Sequence, residues 1–182
     1  MNVVAALKCR TIALVGLMGS GKSSIGRRIA AALDMPFRDS DSEVETAAGQ
    51  SVAEIFADLG ESAFRDGERR VIARLLDEPP HVLATGGGAF MNAETRALIQ
   101  EKAISVWLKV DLDVLVRRIG RKDTRPLLAG RDPGAVLRDL AAQRYTVYAQ
   151  ADITLKIGDT PHKAAVDAVI QALQAHLEKT AT

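Results

Sequence analysis

One cysteine, Cys9, stands in 182 residues. It cannot form an intramolecular disulfide, so a disulfide-stapled fold is excluded, and with no activating pattern around it the thiol reads as inert. An excess of either charge is also missing: 24 Lys and Arg face 23 Asp and Glu, a formal net charge of +1. No global field draws such a chain to nucleic acid or to a membrane surface, and any anion it binds must be caught by locally clustered arginines. No apolar run approaches the ~18 residues of a membrane span. The opening MNVVAALKCR lacks the charged and apolar regions of a secretory signal, so the cytoplasm is the expected location. His81, His162 and His176 are scattered without metal-ligand spacing, which argues against a histidine metal centre. Internal repeats and low-complexity tracts are lacking as well.

What is present suits one α/β domain spanning 1–182. Hydrophobic residues make up 47% of the chain, enough for one sizeable core at this length. Strand-length apolar runs recur at Thr11–Val15, His81–Ala84, Ile104–Leu108 and Ile153–Ile157, with a weaker one at Pro36–Asp39. Each is followed by turn residues and then by helical periodicity, the alternation expected of a parallel sheet covered on both faces. Val166, Val169, Leu173 and Leu177, after Thr160-Pro161, predict an amphipathic C-terminal helix. Two stretches break the alternation. Ala47–Leu76 is a long, mostly helical excursion, and Arg121–Pro133 is rich in charge, Pro and Gly; substrate sites and lids are built in such places.

The stretch Gly16-Leu-Met-Gly-Ser-Gly-Lys22-Ser23 matches G-x-x-x-x-G-K-[ST] in full. A strand precedes it, and Ile25, Ile29, Ala32 and Leu33 begin a helical face after it, the context a phosphate-binding loop requires. Glycines let backbone N–H groups converge on phosphate oxygens, and the helix N-terminus adds its positive dipole end. Lys22 is placed to reach the β- and γ-phosphates and the Ser23 hydroxyl to ligate Mg²⁺. The plainer reading is a glycine turn with Lys22 merely exposed.

The loop alone does not name the acceptor. The N-K-x-D element with which GTPases read guanine is absent. Asp39-Ser-Asp41 ends the second strand candidate, where alternation puts both carboxylates on one face near the loop; one could serve a magnesium shell and the other accept a hydroxyl proton. Alternatively Asp41 simply caps a helix over Ser42–Ala48. Within Gly60–Glu68, Phe64, Arg65 and Glu68 share one helical turn, and the i, i+3 spacing lets Glu68 hold Arg65; a bare surface ion pair is the other reading. Thr85-Gly-Gly-Gly88 follows the His81–Ala84 run and lets a ligand touch backbone, unless it is only a linker.

Taken in order from about Thr11 to Asp152, GLMGSGKSS, the D-S-D at Asp39, GESAFRDGE at Gly60, TGGG at Thr85, RPLL at Arg125 and LAAQRYTVY at Leu140 resemble the shikimate kinases, in the nucleoside-monophosphate-kinase-like branch of P-loop proteins. The resemblance implies a three-layer α/β/α fold with a five-stranded parallel sheet, a substrate-binding helical region at about 43–76 and a mobile lid at about 119–131. It implies ATP-dependent phosphorylation of the shikimate 3-hydroxyl, with Mg²⁺ and ATP, on the route to chorismate and the aromatic amino acids. It also implies a monomer, without nucleic-acid or membrane partners.

By the same resemblance Lys22, Asp41 and Arg125 are catalytic, Asp41 as candidate base and Arg125 as the lid arginine that neutralises phosphoryl charge. Gly19, Ser20, Gly21, Lys22, Ser23, Ser24, Arg118 and Arg125 bind ATP, with Arg118 stacked on adenine. Asp41, Arg65, Gly87, Gly88 and Arg144 bind shikimate, the two arginines taking its carboxylate. Ser23 and Asp39 serve the metal, Asp39 through water, and Phe56, Phe64 and Pro126 form an apolar wall against the ring. The chain departs from the commonest pattern at Ser24, where many members have threonine, at Thr146 in place of a frequent proline, and in the spacing after Tyr148. Two rivals stay open. One is a kinase of the same fold acting on another polyol acid such as gluconate, opposed by the pairing of F-R-x-x-E with a downstream L-x-x-x-R. The other is a non-enzymatic nucleotide-dependent regulator, opposed by the joint retention of Lys22, Asp39, Asp41 and Arg125.

Overall fold

Strand β1 (Thr11–Val15) is buried at all five positions, as a run of Ile, Ala, Leu and Val must be when strands lie on both its edges and helices on both its faces. The computed structural model describes residues 3–7, 9–119, 128 and 130–180. In it β1 is the middle strand of a five-stranded, all-parallel sheet with β2 (Phe37–Asp39), β3 (Val82–Ala84), β4 (Ala103–Val110) and β5 (Ile153–Ile157), in the order β2-β3-β1-β4-β5. The predicted strands are all present. β4 outruns its Ile104–Leu108 expectation at both ends because it pairs with β1 on one edge and β5 on the other.

Helices cover the sheet. α1 (Val3–Ala6), α2 (Lys22–Leu33) and α8 (His162–Thr180) pack together, and α8 buries Val166, Val169, Leu173 and Leu177 as its periodicity predicts. α4 (Val52–Leu76) and α5 (Ala93–Lys102) pack together, with α3 (Ser40–Ala48) against α4. α6 (Leu112–Ile119) and α7 (Pro133–Tyr148) complete the described α-helices. The connection from β1 runs to β2 on one side, whereas that from β3 crosses β1 to β4 on the other, so the crevice at the carboxyl ends of β1 and β3 is the topological switch point where ligands bind in open α/β sheets. The phosphate loop lies there.

The helical excursion between β2 and β3 holds α3 and an α4 that is itself two pieces. Ser51 and Glu54 close a capping box at the start of α4, and Gly60, at φ 82° and ψ 170°, breaks the helix internally. Such a backbone is open to glycine and strained for other residues. The predicted lid at 119–131 falls largely outside the described residues, as do Arg125 and Pro126.

At the base of β3, buried His81 places Nδ1 2.9 Å from the Pro79 carbonyl, while Nε2 has no hydrogen-bond partner among the described residues. Burial pushes the ring below its ordinary value of 6.5, against the pull of the Pro79 hydrogen bond. The folded state thus takes a proton less readily than the unfolded chain, and stability is lost as pH falls through about 6.5. Urea midpoints at pH 7.5 and 5.5 should show the drop. His81→Asn, whose amide can occupy the Nδ1 position without titrating, should flatten it; an unchanged slope would place the acid sensitivity elsewhere.

Candidate functional site

The loop after β1 closes around its own lysine. Gly16, Gly19 and Gly21 take positive φ, and Gly21 directly precedes α2, whose first residue is Lys22. Lys22 is buried; its ammonium donates to the carbonyls of Gly16 (2.8 Å) and Leu17 (2.9 Å) and lies 3.4 Å from Ser20 Oγ. A lysine held across a glycine loop is placed to meet phosphate oxygens in the same concavity, which the exposed-lysine reading does not allow. Ser24 Oγ accepts from Arg28 (2.8 Å), and Arg118, in the last turn of α6, donates to the Gly19 carbonyl (3.4 Å). α6 therefore abuts the loop.

Ser23 and Asp39, 16 residues apart, meet at the loop's edge: Ser23 Oγ donates to Asp39 Oδ2 at 2.5 Å. Strand alternation is not what brings Asp39 and Asp41 together. β2 ends at Asp39, which is itself the N-cap of α3, its Oδ1 accepting from the backbone N–H groups of Asp41 (3.1 Å) and Ser42 (3.4 Å). The cap is thus Asp39, not Asp41, and Asp41 stands in the first turn of the helix with its carboxylate left over for other work. A hydroxyl and a carboxylate in contact beside a phosphate loop form the hard-oxygen donor set that suits Mg²⁺, which fills its remaining positions with phosphate and water.

Asp41 meets Glu68 at the glycine run. Its Oδ1 is buried and without a hydrogen-bond partner among the described residues, as is Glu68 Oε1. Both atoms crowd Gly86: a β-carbon there would lie 2.1 Å from Glu68 Oε1 and 2.8 Å from Asp41 Oδ1. Burial pushes the Asp41 carboxyl above its ordinary range and the Asp39 charge adds to this, while Lys22 and Arg65 pull the other way. Glu68, only 2% exposed, is likewise pushed up by burial and by Asp41, against Arg65 and Arg144.

Arg65 donates to Glu68 Oε2 at 2.8 Å and to Glu61 Oε1 at 3.2 Å. With Glu68 buried, this is not the surface pair that i, i+3 spacing usually signals. Gly88 lets the guanidinium lie flat against the backbone, since a β-carbon there would sit 2.6 Å from Arg65 Cζ. Arg144, from α7, donates to the Gly87 carbonyl at 2.9 Å. A cavity of about 380 Å³ opens between these parts, lined by Glu61, Arg65, Gly88, Met91, Asn92 and Arg144, with Gln143 at its side. Two arginines of one cavity present forked donors suited to a carboxylate. Phe56 and Phe64 pack at 4.9 Å between ring centroids nearby on α4.

Several contributors escape the sequence reading. Ser40 Oγ accepts from the Gly86 N–H at 2.8 Å and ties α3 to the glycine run. Glu61 shares Arg65; its i, i+4 spacing was the available signal. Asn92, Met91 and Gln143 carry no sequence signal for the cavity they line. Tyr148 donates to the same Gly87 carbonyl as Arg144.

Comparison with known proteins bears on this site. The family model described as shikimate kinase matches residues 18–174. A shikimate kinase of Caulobacter vibrioides is 67% identical over 174 residues, covering 95% of this chain and 87% of that protein. Among solved structures, shikimate kinase from Acinetobacter baumannii in complex with shikimate is 33% identical with a TM-score of 0.90, covering 95% of this chain and 97% of that one. A gluconokinase from Sinorhizobium meliloti shares the fold at 19% identity and a TM-score of 0.60, with coverage of 94% and 95%.

Proposed function

The chain belongs to the shikimate kinase family, and from that premise we propose how its residues divide the ATP-dependent phosphorylation of the shikimate 3-hydroxyl, in aromatic amino-acid biosynthesis. The observation that carries the reading is Asp41: a half-buried carboxylate whose Oδ1 is buried and has no hydrogen-bond partner among the described residues, under the influence of the loop lysine on one side and Arg65 on the other. It stands between a phosphate cradle and a cavity for an anion. In this reading the loop amides and Lys22 hold the β- and γ-phosphates. Ser23 and Asp39 would hold Mg²⁺, Asp39 through water; bound there, the ion neutralises charge on the transferring phosphoryl group.

Arg65 and Arg144 receive the shikimate carboxylate and so set the ring's orientation. Backbone at Gly87 and Gly88 lies alongside it, Phe56 and Phe64 supply apolar contact, and Asp41 orients the reacting hydroxyl and takes its proton. Most of the rate comes from holding donor and acceptor in line. Arg118 contributes to the adenine site. Arg125, outside the described residues, has the role of the lid arginine, and closure over it would exclude water.

The direct test is an ADP-release assay with Mg-ATP and shikimate, gluconate or no acceptor. Release dependent on shikimate alone is expected; equal release with gluconate would overturn the reading of the cavity. Arg144→Ala should raise KM for shikimate by about 10²-fold or more, the cost of removing one partner of a desolvated charge pair. An unchanged KM would break the carboxylate assignment.

A further inference from the structure

Two groups converge on the Gly87 carbonyl. Arg144 Nη1 donates to it at 2.9 Å, and the Tyr148 phenol donates to it as well. Gly87 itself rests on the phosphate loop: a β-carbon built on it would lie 3.4 Å from the Met18 nitrogen and 3.6 Å from the Gly16 carbonyl. Arg144 and Tyr148 are four residues apart on α7, so they emerge from one face of the helix, one turn apart. Tyr148 is 0% exposed and packs against Trp107 of β4, with ring centroids 5.7 Å apart. Trp107 pairs in the sheet with Val15, the last residue of β1 before the loop. The phenol is therefore anchored to the sheet at the root of the phosphate loop.

We propose that Tyr148 is a positioning residue for the acceptor: by sharing the Gly87 carbonyl with Arg144, its hydroxyl fixes the guanidinium that receives the substrate carboxylate and ties it to the backbone lying on the phosphate loop. The proposal rests on the assignment of Arg144 to that carboxylate. A carbonyl oxygen has two lone pairs. With one taken by a rigid, buried phenol, the peptide cannot rotate, and the second points along one direction for Arg144. Without the phenol the carbonyl keeps one bond but loses its fixed orientation, and the arginine it holds is free to sample poses that do not face the cavity. Burial raises the phenol's ionisation above its ordinary range, so it remains a donor across the working pH.

The test is Tyr148→Phe, which keeps the ring, its burial and the Trp107 contact and removes one oxygen. Kinetics are measured with shikimate and with its methyl ester, which lacks the carboxylate charge. With shikimate, KM should rise about five- to ten-fold, the scale of one lost hydrogen bond to a group supporting a charged one, and kcat should change less than about two-fold. With the ester, wild type and variant should share one KM, because the guanidinium has no carboxylate to meet. A purely structural role would penalise both acceptors equally and would overturn the proposal, as would a shikimate KM unchanged in the variant.

Tyr145→Phe is the control. Tyr145 packs on the same tryptophan, with centroids 5.0 Å apart, and its loss of a hydroxyl should leave the ratio of the two KM values as in wild type. If Tyr145→Phe moved that ratio as far as Tyr148→Phe, the effect would belong to the aromatic stack and the proposal would fall. If wild type itself did not distinguish shikimate from the ester, the carboxylate assignment of Arg144 would fail first and the proposal with it. Discrimination in wild type that Tyr148→Phe leaves intact would sink the Tyr148 role alone.

Discussion

Asp41→Asn should lower kcat by about 10³-fold, within the range spanned by loss of a positioned general base, leave ADP affinity essentially unchanged, and make the folded protein more stable at neutral pH. The first two effects follow from where the residue sits. Its carboxylate belongs to the first turn of α3, while the proposed function assigns the nucleotide to the loop after β1, so asparagine removes the proposed proton acceptor without touching that loop. The third effect follows from the sign of the pKa shift. The carboxyl is raised above 3.8, first by burial and then by the Asp39 charge. The folded state therefore binds this proton more tightly than the unfolded chain does. The stability the group contributes is fully present below 3.8 and is lost as pH rises through the raised folded value.

At neutral pH the ionised group is a cost, and asparagine, neutral and nearly isosteric, relieves it. For the same reason kcat/KM of wild type should fall on acidification at a pH above the ordinary carboxylate range, the limb belonging to the Asp41 and Glu68 pair as a unit. Thermal unfolding and steady-state kinetics on the one variant check all of this. Near-normal turnover would remove Asp41 from the chemistry, and a lowered melting temperature would show that its carboxylate stabilises the fold instead.

Gly86→Ala should lower kcat/KM for shikimate by about 10²-fold or more, since a misplacement of ~1 Å among reacting groups is enough for that, with nucleotide binding retained. The backbone tolerates alanine; the obstacle is space. The added methyl would lie 2.1 Å from Glu68 Oε1 and 2.8 Å from Asp41 Oδ1. Glu68 cannot swing into solvent because it is 2% exposed and bonded to Arg65 at 2.8 Å. Nor can the glycine run retreat, as the Gly86 N–H is bonded to Ser40 Oγ at 2.8 Å.

The methyl must displace both carboxylates and, through Glu68, Arg65. Overpacking of this kind also costs about 1–3 kcal/mol of stability, so the informative quantity is the contrast between acceptor and nucleotide. Titration with ADP should give near wild-type affinity while shikimate saturation is lost. If both sites weakened together, the change would be a general loosening of the fold; if neither did, Glu68 and Asp41 would not be held as tightly as their burial implies.

How much of this was legible beforehand depended on the separation of the parts. The phosphate loop was readable because its function is made by consecutive residues: eight positions between a strand and a helix supply the glycines, the lysine and the serine together. The paired arginine and glutamate at Arg65 and Glu68 were readable as neighbours on a helix, but their burial was not. Asp39 and Asp41 were readable as two carboxylates near the loop, but the strand-alternation argument misplaced them. Local hydrogen bonding from the Asp39 cap turns the chain into helix at Ser40, so the strand stops at Asp39, two residues short of the end that alternation assumes.

The amino-acid sequence by itself determined the α/β class, the strands of the sheet, the amphipathic α8 and the phosphate loop, because each depends on periodicity or on groups within a few residues. Only the tertiary structure brought together the residues of the proposed acceptor site. Gly86 meets Ser40 across 46 residues, Arg144 meets Gly87 across 57, and Tyr148 meets it across 61. Those contacts exist because a parallel sheet gathers the carboxyl ends of its strands at one edge, and the side chains that share that edge leave no periodic trace in the chain that carries them.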